Sequence, residues 1–244
     1  MSLFYDGGWM HRTGSDHVPL THLYAYASRR DWPTVFPSLI ADSEDYWFHL
    51  YKPRLGDVIV DVGAGDGSDL PAFSRAVGPA GRVIAVEAHP RTLQLLERMR
   101  KWNRLDNVTV RHRAIMDRPG SVYIDDQDAH ILNAVSAVRR NHRGYEVPAL
   151  SLDDLCREDG VTHIDFLKMN IEGAERHAIE GATETIGRVR HVCVACHDFL
   201  AGADDRLRTK AIVVAFLERH GFRVTLRRDD ARDYVRDHVH GVRR

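Results

Sequence analysis

The sequence predicts an α/β fold built on a mostly parallel sheet with helices on both faces. Three observations carry this. From residue 55 onward, short apolar runs of β type alternate with segments of helical periodicity, the pattern of successive βα units. A glycine-rich turn, Asp61-Val-Gly-Ala-Gly-Asp-Gly67, joins the first such run to the first helical segment. Apolar residues make up 43% and charged residues 28% of the 244 residues, which permits a sizeable core and excludes wholesale disorder. The length suits one large domain, or one domain with an added segment.

Taken in order, residues 1–50 form an aromatic-rich segment with Tyr24, Tyr26, Trp32, Phe36, Tyr46, Trp47 and Phe48. They are expected to make an N-terminal helical cap or lid on a main domain of residues 51–244. Residues 57–62 (DVIVDV) read as a buried strand. Asp66 or Ser68 can cap the next helix, whose Leu70, Phe73 and Val77 share one face and which Gly78 can close. Residues 82–87 form the second strand. Pro90 suits a first helical position, and Leu95, Met99 and Trp102 form the expected buried stripe. Residues 108–115 read as the third strand and 121–124 as a hairpin arm after Pro119-Gly120. Residues 126–146 carry no firm pattern. Ser151 heads a short capped helix with Asp153 and Asp154 at its positive end. Residues 163–169, 191–197, 222–226 and 234–242 read as the remaining strands. A short helix over 173–182 and a longer one carrying Leu207, Ala211, Val214 and Leu217 lie between them, the latter ended by Gly221.

Basic and acidic side chains nearly balance, 34 against 35, so no long-range field attracts polyanions and a nucleic-acid partner is not expected. No run approaches the ~20 apolar residues that cross a bilayer. The N-terminal residues lack the pattern of a secretion signal. Three cysteines cannot all pair, so a reduced, cytoplasmic protein with no membrane partner is expected. Homo-oligomerisation is left open.

The glycine turn identifies a ligand class. Gly63 and Gly65 let a ligand approach bare backbone, and the helix start beyond them favours an anionic group. Glu87, 22 residues past Gly65 and at the end of the second strand, can accept hydrogen bonds from both hydroxyls of a ribose. An adenosine-containing ligand follows. The dinucleotide fingerprint requires a glycine where Ser68 stands; here the third glycine is Gly67. Asp61 is badly placed beside a pyrophosphate and suits the ammonium of a methionyl tail. S-adenosyl-L-methionine (SAM) therefore fits better than a nicotinamide cofactor.

Cys193-Val-Ala-Cys-His197 matches a haem-attachment pattern, but on a strand Cys193 and Cys196 point to opposite faces, and no second cysteine pair completes a zinc or redox site. No metal ligands are assigned. Arg139, Arg140, His142 and Arg143 read as a solvated loop or, less often, an anion-binding run.

Four segments, VIVDVGAGDGSDL (58–70), VIAVEAHPRTLQLL (83–96), ALSLDDL (149–155) and IDFLKMNIEGAERHAIEGA (164–182), resemble the class I SAM-dependent methyltransferases, and within them the FkbM family. The last is the most specific: Lys168, Glu172, Gly173 and Glu175 stand as in that family, while Asn170 replaces an Asp, and Ala195 stands where an acid is frequent before His197. The resemblance covers residues 55–200. It implies a Rossmann-like, seven-stranded sheet of order 3-2-1-4-5-7-6 with the seventh strand antiparallel. It also implies an O-methyltransferase for a hydroxyl of a sugar, polyketide or other small metabolite, using SAM and releasing S-adenosylhomocysteine. Carried over, Asp61, Gly63, Ala64, Gly65, Asp66, Gly67 and Ser68 would cradle the methionine end. Glu87 with Ala88 would hold the ribose, Ala114 and Ile115 would lie along the adenine, and Asn170 would sit where cofactor and substrate meet.

Methyl transfer to an alcohol needs alignment, exclusion of water and a base. His197 is the first candidate base and Glu172 the second. Lys168 is either electrostatic support or an ion-pair partner of Glu172 or Glu175. Mg2+ held by Asp198, Glu172 and Asp153 is a weaker branch, because Asn170 lacks the charge of an Asp. An NAD(P)-linked oxidoreductase and a non-catalytic SAM-fold binding protein are the alternatives.

Overall fold

The computed structural model of the chain describes residues 2–6, 9–13, 15–19, 32–125, 135–136, 144–202 and 205–244. Three short antiparallel strands come first: β1 (Ser2–Tyr5), β2 (Trp9–Thr13) and β3 (Asp16–Pro19), in the order β1-β2-β3. Among the described residues the expected helical cap is helical over α1 (Trp32–Trp47) and otherwise of strand type. Thr13 pairs with Asp16, the close register of a tight hairpin. This small sheet docks on the end of the helix at Pro90–Trp102. The indole N–H of Trp102 donates to Asp6 Oδ2 at 2.8 Å, and the side-chain amide of Asn103 donates to the His17 carbonyl at 2.8 Å.

The main domain then unrolls as β4 (Val58–Val62), α2 (Leu70–Val77), β5 (Arg82–Glu87), α3 (Pro90–Trp102) and β6 (Val108–His112). After a smaller sheet come α4 (Leu152–Glu158), β11 (Ile164–Met169), α5 (Glu175–Glu180), β12 (Val189–Ala195), α6 (Lys210–Arg219), β13 (Phe222–Leu226), α7 (Asp233–Arg236) and β14 (His238–Arg243). Seven strands form one sheet in the order β13-β14-β12-β11-β4-β5-β6, parallel except for β14. Counted along the sheet this is 3-2-1-4-5-7-6, the expected Rossmann-like arrangement.

Four local expectations need correction. The expected third strand breaks after His112: β6 stays in the large sheet, while β7 (Ala114–Met116) leaves it to pair in parallel with β10 (Gly144–Ser151). With β8 (Gly120–Asp125) and β9 (Val135–Ser136) these make a second, four-stranded sheet of order β7-β10-β8-β9. Helix α2 begins at Leu70 and is preceded by Asp69, which makes no side-chain cap; the Asp66 carboxylate instead accepts the N–H of Ser68 at 3.2 Å, closing the turn one step earlier. In α3 the fully buried positions are Leu96 and Met99 rather than Leu95. Leu70, Phe73 and Val77 are buried as predicted, and Ser151 caps α4 through the N–H of Asp154. The expected fifth strand ends at Ala195, so His197 lies in the loop beyond it.

The core has two layers. Under α4, α5 and α6 lie Val60, Ile84, Leu167 and Val192. Under α1 and α2 lie Ile59, Phe73, Phe166 and the rings of Trp47, Phe48 and Tyr51, with Tyr51 stacked on Phe166 at 4.8 Å. No helix among the described residues is long and apolar enough to cross a membrane. The basic run at 139–143, the aromatics at 24–26 and most of 126–146 fall outside the described residues.

Candidate cofactor and catalytic site

The site lies at the carboxyl edge of the large sheet, where β4 and β5 wind to one side and β11 and β12 to the other. On leaving β4 the chain turns at once. The N–H groups of Gly63 and Ala64 both donate to the carbonyl of Val86, at 2.9 and 3.0 Å. Gly63 has φ +76°, and a Cβ there would lie 2.0 Å from the carbonyl oxygen of Asn170. Glycine at 63 thus lets the turn touch the end of β11. Gly65, with φ +58°, differs: a Cβ there would meet nothing within 4 Å, so open space lies over its backbone. Gly67 packs on Leu96 and Met99 of α3.

Glu87 ends β5 and faces this turn. Its Oε2 accepts the N–H of Gly65 at 2.9 Å and its Oε1 the N–H of His89 at 2.8 Å. Burial pushes its carboxyl up to about 7, against the pull of those two donors. Each oxygen keeps a second lone pair for a ligand hydroxyl. Ala88 and Ala114 belong to one apolar cluster with Val122, Val147 and Ala149, so the small second sheet walls the crevice beside Glu87. Ile115 is buried next to Ala114 in β7. The ring of Tyr145 meets that of His89 edge-on at 5.3 Å on the same side.

Lys168 is 1% exposed and supports the turn from beneath. Its Nζ donates to the Gly63 carbonyl at 2.7 Å, lies 2.7 Å from Asp61 Oδ1 and 3.7 Å from Asp69 Oδ2, and stands 4.9 Å over the Trp47 ring. Asp61, not Glu172 or Glu175, is its ion-pair partner. Burial pushes the Asp61 carboxyl up to about 6, with Lys168 pulling it back. The same desolvation acts on Lys168, but the charges of Asp61, Asp69 and Glu87 outweigh it and hold its pKa above the ordinary lysine value. Asp61 Oδ2 and Asn170 Oδ1 are buried side-chain oxygens without a hydrogen-bond partner. Two unsatisfied acceptors, one at the turn end of β4 and one just past β11 where its backbone meets Gly63, fit a cationic donor such as the ammonium of a methionyl group.

Across the edge, the loop after β11 carries Glu172 and the start of α5. Glu172 has φ +48°, a left-handed conformation that costs a side-chain-bearing residue about 1 kcal/mol or more and gathers at functional sites. Burial, then the charges of Glu175 and Glu87, push its carboxyl up to about 9, so it holds a proton at neutral pH. Glu175 is fully buried. Its Oε2 accepts the N–H of Gly173 at 2.8 Å and its Oε1 meets His197 Nδ1 at 2.9 Å. Against a carboxylate, Nδ1 carries the hydrogen, which leaves Nε2 of His197 as the acceptor. The sequence shows Glu175 near the start of the expected helix over 173–182 but gives no signal for this pairing, because His197 stands 22 residues further along in another loop.

Two carboxylates of the weaker Mg2+ branch are engaged elsewhere. Asp198 Oδ1 accepts the N–H groups of Thr209 and Lys210, and Asp153 accepts those of Glu184 and Thr185, so both carboxylates are spent on loop backbone.

Comparisons with known proteins agree with this architecture. Residues 61–224, well over half of the chain, match the methyltransferase FkbM domain family. The 2-O-methyltransferase NoeI of Sinorhizobium fredii (strain NBRC 101917 / NGR234) is 30% identical over 159 residues, which cover 59% of this chain and 63% of that protein. The match therefore spans less than two thirds of that relative. The crystal structure of methyltransferase FkbM from Methylobacillus flagellatus KT superposes with a TM-score of 0.55 at 18% identity, over 79% of this chain and 45% of that one, a likeness of fold.

Proposed function

The chain belongs to the FkbM methyltransferase family, and from that premise we propose that it is a SAM-dependent O-methyltransferase acting on a hydroxyl of a small metabolite, a sugar, polyketide or other natural product. The observation that carries the reading is the open glycine turn under Glu87, flanked by the unsatisfied oxygens of Asp61 and Asn170. When bound, SAM supplies a methyl group on a positively charged sulfur as electrophile. Glu87 would accept the ribose hydroxyls, Ala88, Ala114 and Ile115 would line the adenine, and Asp61 with Asn170 would receive the ammonium. Lys168 neutralises Asp61 and fixes the Gly63 carbonyl, so it acts on the turn rather than on the substrate.

On the acceptor side, Glu175 holds His197 so that Nε2 can take the hydroxyl proton. Glu172, protonated at neutral pH, is a hydrogen-bond donor rather than the base. That the NoeI relative is a 2-O-methyltransferase supports an oxygen acceptor. The near-neutral net charge of −1 supports a small acceptor over nucleic acid.

The test has two parts. Calorimetry with SAM, S-adenosylhomocysteine and NAD should give binding of the first two only; NAD binding alone would sink the assignment. Incubation with methyl-labelled SAM and a panel of hydroxylated acceptors, read by mass spectrometry, should give a product heavier by one methyl group. Tight binding with no transfer across sugars, polyketides and phenols would favour a non-catalytic role.

A further inference from the structure

Beside the Lys168–Asp61 pair, the same sheet face carries three donor atoms that the methyl-transfer machinery does not use. Register explains how they meet. Asp61 on β4 pairs with Lys168 on β11, Lys168 with Cys193 on β12, and Cys193 with His240 on β14. His238, two residues from His240, points to the same side of β14. Cys193, His238 and His240 are 0%, 4% and 1% exposed. One ligand atom from each lies within 4.8 Å of the other two, and Cys193 Sγ is 4.0 Å from His240 Nε2.

We propose that Cys193, His238 and His240 form a binding site for one thiophilic divalent transition-metal ion of the zinc class. One thiolate and two imidazoles are the donor set such ions prefer. Tetrahedral coordination would put a sulfur and a nitrogen donor about 3.5 Å apart, so the Cys193–His240 pair at 4.0 Å would draw in by a few tenths of an ångström, while the pairs with His238, within 4.8 Å, could close by more. His238 Nδ1 is buried without a hydrogen-bond partner, an unusual expense in a core unless a ligand takes the lone pair. Its ring is fixed by stacking on Trp47 at 5.0 Å and 12°. On binding, the metal takes the sulfur lone pair and the Cys193 thiol proton leaves to solvent, so the site gains one positive charge in a core where Lys168 is already balanced by Asp61. Three protein ligands leave a fourth position for water. Cys156 and Cys196 are free and take no part.

The probe is Co2+ titrated into the full chain after removal of metal by a chelator. The expected result is a thiolate-to-cobalt charge-transfer band saturating at one equivalent, displaced by Zn2+, with release of one proton. C193S should abolish the band, H240A should weaken Co2+ binding roughly tenfold or more, and the C156S/C196S double variant should keep the band. No band in the wild-type chain, or a band that survives C193S, overturns the proposal. Should C193S or H240A fail to fold, the melting temperature of the C156S/C196S variant decides: a rise on adding one equivalent of Zn2+, reversed by chelator, is expected, and no rise overturns the proposal. None of these readouts depends on methyl transfer.

Discussion

At the β4–β5 side of the crevice the groups that would hold a ligand are mostly main-chain: the turn at residues 63–67 and the Val86 carbonyl that accepts two of its N–H groups, joined by two carboxylates, Glu87 bonded to backbone and Asp61 paired with Lys168. At the β11–β12 side the working groups are side chains, Glu172, Glu175 and His197, brought together from two loops. The first half depends on where glycine lets the chain go. The second depends on which side chains burial leaves charged, protonated or paired. Substitutions should therefore fail differently on the two sides: through stability and cofactor affinity on one, through turnover on the other.

The largest effect expected is at the joint between the halves. Lys168→Met would leave Asp61 buried without its counter-ion and the Gly63 carbonyl without a donor. Breaking a buried pair costs about 3–5 kcal/mol. Urea denaturation should read a loss of that order, and Asp61→Asn added to Lys168→Met should recover part of it. Unchanged stability in the single variant would show that Lys168 does not support the turn.

Next in size is the acceptor side. His197→Ala should lower kcat by roughly 10²- to 10³-fold, about 3–4 kcal/mol, while the Kd for S-adenosylhomocysteine stays within about twofold. Glu175→Gln should lower kcat less, because an amide can still hold the ring but can donate to Nδ1 and turn the proton-bearing nitrogen outward. A His197→Ala enzyme with wild-type kcat would remove this histidine as base. One that lost cofactor affinity instead would erase the contrast between the halves.

Within the backbone half, Gly63 and Gly65 sharpen the comparison. Gly63→Ala places a methyl 2.0 Å from the Asn170 carbonyl at φ +76°, so it should cost about 2–3 kcal/mol of stability as well as cofactor binding. Gly65→Ala meets no protein atom and should cost only the ~1 kcal/mol of a positive φ. Its methyl would nonetheless stand in the open space over the turn. Thermal melts with and without S-adenosylhomocysteine separate the two: a folded Gly65→Ala protein that has lost the ligand-induced shift is expected.

The same contrast governs what could be read from the sequence. The turn and Glu87 at the end of its strand are local signals, glycine spacing followed by an acid, and the structure has them there; the seven-stranded order, also found, came with the family resemblance rather than from any local pattern. The partner of Lys168 was misread because Asp61 reaches it through strand register, which one sequence does not print. Glu175 was visible as a letter but not as the group that holds His197. The pairing of β2 with β3 escaped because its strands are short, and the small sheet of β7 to β10, apart from its arm at 121–124, because its strands pair across long gaps. His238 and His240 carried a weak signal, alternate positions on one strand, whose meaning depends on Cys193 lying opposite.

The smallest effect expected is a pH dependence that belongs to the backbone half alone. Burial raises the Glu87 carboxyl from 4.5 in a free chain to about 7 in the fold. The folded state then binds a proton more tightly than the unfolded one, so this group's contribution to stability is fully present below about 4.5 and is lost as pH rises through about 7. Cofactor binding has the opposite slope, since the ionised carboxylate accepts two ribose hydroxyls better than the acid. Affinity for S-adenosylhomocysteine should rise about tenfold, near 1.4 kcal/mol, between pH 6 and 8 and then level off. Ligand should therefore protect the protein most where the free form is weakest. Glu87→Gln should bind weakly with a flat pH profile. Calorimetry across that range checks both, and a slope that survives Glu87→Gln would move the titrating group elsewhere in the crevice, with Asp61, raised to about 6, the next to test.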